Sequence, residues 1–174
     1  MLGDFFELIG DFLAAGGDVL TVIFIATFVL WFFIIERFIF FKNRFPALLN
    51  EQQDVWSKRT DKKSWNAHRI RDYMISKSSQ EVFRYIPFIK MLVATAPLLG
   101  LLGTVTGMIA VFDVMALTGT GNARLMASGI SMATIPTMAG MVTALSGLYF
   151  GSLFERKANK SMVLLSDVME LDLT

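Results

Sequence analysis

The chain has 174 residues, 54% of them hydrophobic, with mean hydropathy +0.55 and a formal net charge of +1. It is too apolar for an ordinary soluble domain of this size, and its near-neutral charge offers nothing to nucleic acid or another polyanion. Cysteine is absent, which removes disulfides, thiol chemistry and cysteine metal sites together.

Residues 1–18 come first. In LGDFFELIGDFL, helical spacing puts Asp4, Glu7 and Asp11 on one face and Phe5, Leu8, Ile9 and Phe12 on another. This predicts an amphipathic helix at the outer surface, one that sets where the first span begins. Gly16 and Gly17 break the pattern. No Lys or Arg precedes Arg37 and no cleavage pattern follows a basic start, so the first span is expected to stay in the mature protein. That span covers residues 19–41, with Trp31 in its inner half. Glu36 and Arg37 mark its inner end, where the Arg stem is expected to snorkel toward headgroups. The alternative is a contact between Glu36 and a neighbouring subunit.

Residues 42–91 are polar and helix-friendly. Pro46 is placed to open a helix. Ser78 and Glu81 have capping-box spacing and predict the start of another, running through Phe83, Ile86 and Ile89 into the second span. Trp56 and Trp65 read as packing residues, and the basic run Lys58, Arg59, Lys62, Lys63 as a solvated face. The lone histidine, His68, has no acidic cluster beside it in sequence and reads as a surface residue. No nucleotide loop, metal-ligand spacing or nucleophile motif is present, so neither enzyme activity nor a cofactor or metal is expected.

The second span covers residues 92–117 and the third 125–154, joined by an outer loop at 118–124 that forces an antiparallel hairpin. Each span meets the ~20 residues needed to cross a bilayer. The second holds ATAPLLGLLGTVTGM, Ala94 to Met108. Pro97, Gly100, Gly103, Gly107, Thr104 and Thr106 are more than an anchor needs. The glycines let another helix backbone approach, and the hydroxyls require partners at membrane depth. In the third span Ser128, Ser131, Thr134 and Thr137 recur every three residues, with Gly140 and Ala144 then Gly147 and Gly151 as small pairs. Such hydroxyls can bond their own helix carbonyls, or line a path for water or an ion. Asp113 is the one acid well inside a span besides Glu36. It is a candidate for ion handling, or is answered by Arg124 across the turn.

Charge sets the orientation. The first 18 residues carry no Lys or Arg and four acids; residues 42–90 carry eleven Lys or Arg, the 118–124 loop one and the 155–174 tail three. The positive-inside rule predicts an all-α integral membrane protein with three transmembrane helices, long cytoplasmic helical extensions, N-terminus outside and C-terminus inside.

Taken together, Trp31 with Ile35-Glu36-Arg37, the block from Ala96 to Met108, Phe112, and Gly129-Ile130-Ser131 leading to Thr137 and Gly140 resemble the MotA/TolQ/ExbB proton-channel family. The short three-span form is most like its ExbB branch. The resemblance implies a bacterial inner-membrane homo-oligomer, a pentamer, whose second and third spans line a pore. It also implies an ExbD-like single-span partner that occupies that pore and brings a titratable aspartate, and a TonB-like protein that couples the motion to import of iron complexes or vitamin B12 across the outer membrane. It further implies an ion path past Thr104 and Thr137, with Pro97, Gly100, Gly103, Gly107 and Gly140 shaping the packed wall. Where many ExbB proteins carry a glutamate in the third span, this chain has Met132, which leaves proton or sodium coupling open. A TolQ-like stator serving the outer membrane and a non-conducting membrane scaffold are the competing readings.

Overall fold

The structure is a computed structural model that describes residues 2–62, 64–119 and 123–169, with the side chains at 2–6, 8, 118, 123 and 125 outside the description. Every element among the described residues is helical: α1 at Leu2–Ile39, a π-helical turn at Phe40–Arg44, α2 at Phe45–Ser57, α3 at Trp65–Phe83, α4 at Ile86–Thr118 and α5 at Ala123–Val168. Three helical runs, Ile9–Ser57, Trp65–Leu117 and Met126–Val168, are long and apolar enough to cross a membrane. Part of the expected outer loop, Thr120 to Asn122, and the last five residues of the tail lie outside the described residues, as do the side chains of Asp4, Phe5 and Leu8.

Local chemistry explains the breaks. Gly17, at φ 69° and ψ −168°, kinks α1, in a conformation that a side chain would strain. Pro46 lacks the N–H that an uninterrupted helix would use. The π turn just before it absorbs this: the amide of Phe45 donates to the Phe40 carbonyl, five residues back. Gly119, at φ 72°, ends α4, its amide donating to the Met115 carbonyl at 2.9 Å.

The chain packs as two compact units, residues 1–32 with 90–148 and residues 33–89 with 149–174. In the first, Leu20, Ile23, Leu30, Ala96, Val111 and Ala133 are buried, while Phe28, Leu98, Val142 and Leu145 are broadly exposed. Large apolar side chains on the outside are what a bilayer, or further copies, would cover.

The second unit has its own core. Trp56, Ala67, Met74, Leu165 and Met169 are buried together. Phe41 stacks on Phe154 with ring centres 6.0 Å apart. Arg71 donates to the carbonyls of Met169, at 2.6 Å, and Ser166, at 3.1 Å, and so satisfies acceptors at the C-terminal end of α5.

Three expectations are corrected in this unit. Ser78 opens no helix: it is 2% exposed inside α3, between Met74 and Val82 one turn either side, so a continuous buried stripe overrides the local capping signal. The cap is Ser64, whose hydroxyl accepts from the Ala67 amide, and the break before α4 falls at Arg84 and Tyr85. Trp65 is 71% exposed, with the Arg69 guanidinium 5.0 Å from its ring centre, whereas Trp56 is core. Arg37 does not snorkel. It is 2% exposed, and its guanidinium donates to both Glu36 carboxylate oxygens (2.6 and 2.9 Å) and to the carbonyls of Glu81 (3.0 Å) and Val82 (3.3 Å). The Phe40 and Tyr85 rings flank it at 4.3 and 5.0 Å. Those carbonyls belong to the last turn of α3, where a cation meets both unfilled acceptors and the negative end of the helix dipole.

Candidate functional site

The two helices α4 and α5 meet along a single seam within the first unit. Val93 faces Gly147, Ala96 faces Gly140, Gly100 faces Thr137, Gly103 faces Pro136, Gly107 faces Ala133 and Val111 faces Gly129. Numbers fall on one helix as they rise on the other, so the pair is antiparallel. Steps of three and four run along α4, and residues 140, 137, 133 and 129 repeat them on α5, the pattern of two helices with nearly aligned axes in a left-handed crossing. Glycine is required where backbones touch. A methyl group at Gly107 would lie 2.6 Å from the Ala133 backbone, and one at Gly140 would lie 2.6 Å from the Ala96 carbonyl oxygen. At the two ends valine fills the space that glycine leaves.

The hydroxyls sort into two groups. Thr104 donates to Leu101 at 2.7 Å, Thr106 to Leu102 and Gly103 at 3.1 Å, and Thr134 to Ile130 at 3.1 Å, all carbonyls of their own helix. Thr137 instead crosses the seam and donates to the Gly100 carbonyl at 3.0 Å. A second crossing joins α1 to α5, where Thr27 and Thr143 share a hydrogen bond of 2.8 Å while Thr27 also donates to Ile23 at 2.7 Å. Thr104 and Thr137 are therefore bonded differently, one within its helix and one between helices.

Other candidates sit off the seam. Pro97 is exposed on α4, and the buried proline is Pro136, opposite Gly103. Asp113 is exposed and its carboxylate takes no hydrogen bond or ion pair among the described residues, Arg124 included. Met132 is half-buried and covers the kink of α1: a Cβ at Gly17 would lie 3.4 Å from its side chain. No group of three or more His, Cys, Asp or Glu able to hold a metal occurs among the described residues.

A carboxylate at position 132 would thus press on Gly17 rather than enter the α4–α5 seam. Met132→Glu is expected to lower stability by about 2 kcal/mol, as an acid placed at membrane depth does, read as a reduced midpoint of thermal unfolding in detergent. A changed pH or sodium dependence of transport with the midpoint intact would put residue 132 in the ion path instead.

The arrangement holds two long helices at backbone contact, with one hydroxyl bridging the seam and no acid within it. Sequence reasoning missed Pro136, the Thr27–Thr143 bond and the Arg37 clamp, because each depends on which distant helix packs opposite.

The profile of the MotA/TolQ/ExbB proton channel family matches residues 39–167. The chain is 48% identical over 63 residues to a Synechocystis sp. protein named biopolymer transport protein ExbB-like 1, covering 34% of this chain and 25% of that protein. It is 37% identical over 73 residues to ExbB-like 3 of the same organism, covering 41% of this chain and 35% of that one. The matched segments thus span about a quarter and a third of these relatives. With its profile running from the end of α1 through both helices of the seam, the chain belongs to the MotA/TolQ/ExbB proton channel family.

Proposed function

We propose that this chain is not an enzyme but the ring subunit of an ion-driven motor in the bacterial inner membrane, working with an ExbD-like single-span partner to energise TonB-dependent import across the outer membrane. The carrying observation is the α4–α5 seam. It is tight, bridged by Thr137, and contains no Asp or Glu. A wall of this kind can guide an ion but has no group to bind and release a proton. Asp113, exposed on α4 outside the seam, is the one acid in the second or third span, so a titratable group at the seam itself must be brought by a partner, and an ExbD-like aspartate fits that need.

Orientation follows from charge. With eleven Lys or Arg in residues 42–90 against none in the first 18, the positive-inside rule puts the N-terminus in the periplasm and the C-terminus in the cytoplasm. At 46 residues, α5 has more than twice the ~20 residues needed to cross a bilayer, so part of it is left over beyond the third span. Residues 42–91 and 155–168 then form a cytoplasmic helical body around Trp56 and Leu165. In this reading the spans are residues 19–41, 92–117 and 125–154, Thr104 and Thr137 flank the ion path, and copies assemble as a pentamer through the apolar surface left exposed on each.

The test is gentle extraction from native membranes followed by mass spectrometry of the intact complex. Five copies with an ExbD-like chain and an associated TonB-like chain is the expected result. A TolR-like or TolA-like partner would move the role to outer-membrane integrity. A ring without any single-span partner carrying a membrane aspartate would make it a non-conducting scaffold.

A further inference from the structure

Within the first unit, the segment before Gly17 and the part of α1 after it line one groove together with α5. Its walls are Phe12, Leu20, Phe24, Met138, Val142 and Thr143, around a volume of 460 Å³. An adjoining cavity shares Phe12, Leu13 and Phe24 and reaches Asp11. The kink at Gly17 makes this possible by letting residues twelve apart, Phe12 and Phe24, border one space.

The chemistry of the groove narrows its occupant. The walls are almost wholly apolar, and the two hydroxyls on them, Thr27 and Thr143, are bonded to each other, so neither demands water. At about 30 Å³ for a group the size of a water or a methylene, the space takes on the order of fifteen such groups, the scale of one acyl chain. The adjoining cavity, which we take as the mouth of the groove, is acidic. Asp11 lines it, and Glu7, one turn away, and Asp18 are exposed, with no Lys or Arg before Arg37. Anionic headgroups are repelled there and an ammonium is attracted. A helix of a second copy laid across the same mouth would strip water from the Asp11 carboxylate and offer nothing in return.

We propose that this groove holds one acyl chain of a zwitterionic aminophospholipid, phosphatidylethanolamine in chemical class, with its ammonium at Asp11. The proposal rests on the membrane placement of α1 and α5 in the functional reading above. Seated there, the lipid ties the N-terminal segment to α1 and α5 at the membrane surface.

The experiment reconstitutes the intact complex into vesicles of equal phosphatidylethanolamine and phosphatidylglycerol, re-extracts it and counts bound lipid by mass spectrometry. Phosphatidylethanolamine should be retained about fivefold over phosphatidylglycerol, equivalent to about 1 kcal/mol. Asp11→Asn, a change at an exposed position, should bring that ratio to about one with total bound lipid unchanged. Ala139→Phe should displace both lipids by filling the groove. Equal retention by the unaltered protein, or an unchanged ratio in Asp11→Asn, overturns the proposal. So does a disulfide between a copy carrying Phe24→Cys and one carrying Val142→Cys, which would put a second copy in the groove. A chain that fails to enter vesicles overturns the membrane placement itself, whereas one that enters without lipid preference overturns the groove alone.

Discussion

Valine in place of Gly140 is expected to abolish the assembled complex. Its first added carbon would stand 2.6 Å from the Ala96 carbonyl oxygen and 3.3 Å from the Gly100 backbone. These are backbone atoms, which cannot swing aside as a flexible side chain can. The seam must part by about 0.8 Å there to bring the 2.6 Å approach to ordinary contact, and the neighbouring contacts at Gly100–Thr137 and Gly107–Ala133 open with it. Overpacking of a tight interface costs about 1–3 kcal/mol where side chains yield, and here the cost lies at or above the top of that range. Blue-native electrophoresis of membranes expressing Gly140→Val should show the loss of the oligomer band. Gly10→Val is the control, since a Cβ there meets nothing within 4 Å. An intact oligomer in Gly140→Val would mean that the seam is not the contact described.

Removing the Arg37 guanidinium should be nearly as damaging, in the other unit. Arg37→Met keeps the length of the stem but leaves the Glu81 and Val82 carbonyls without their donor and Glu36 without its partner. Glu36 is 35% exposed and can recover water, so the main loss is the two charge-assisted bonds at the end of α3. These place the effect at about 3 kcal/mol, or about 10 °C in thermal midpoint for a chain of this size. Arg37→Lys should fall between, because one ammonium cannot span both carbonyls and the carboxylate at once. A midpoint unmoved by Arg37→Met would show that the buried guanidinium holds nothing.

Legibility in the sequence followed the range of the forces involved. Helix type and three segments able to span a bilayer are written in local composition, and the glycines at 100, 103 and 107 announce a close approach without saying to what. Their partners, Thr137, Pro136 and Ala133, appear only once α5 is laid antiparallel to α4. Ser78 misled because a capping box is a four-residue signal, whereas the buried face of α3 runs over its whole length. Arg37 misled for the opposite reason. A basic residue at the end of an apolar run normally meets headgroups, and nothing nearby in sequence tells of a helix terminus 44 residues away. Thr104 and Thr137 look alike as residues, and only the fold separates a hydroxyl bonded within its own helix from one that bridges two.

The most direct test of the motor reading is ion flux into liposomes holding the chain together with its co-purified single-span partner. The account predicts a flux that requires both proteins. It also predicts that Thr137→Val reduces the flux by about tenfold or more while the complex stays assembled, since one interhelical hydrogen bond in a membrane is worth only about 0.6 kcal/mol. A flux that Thr137→Val leaves unchanged, or the absence of any flux from the complete complex, would contradict it.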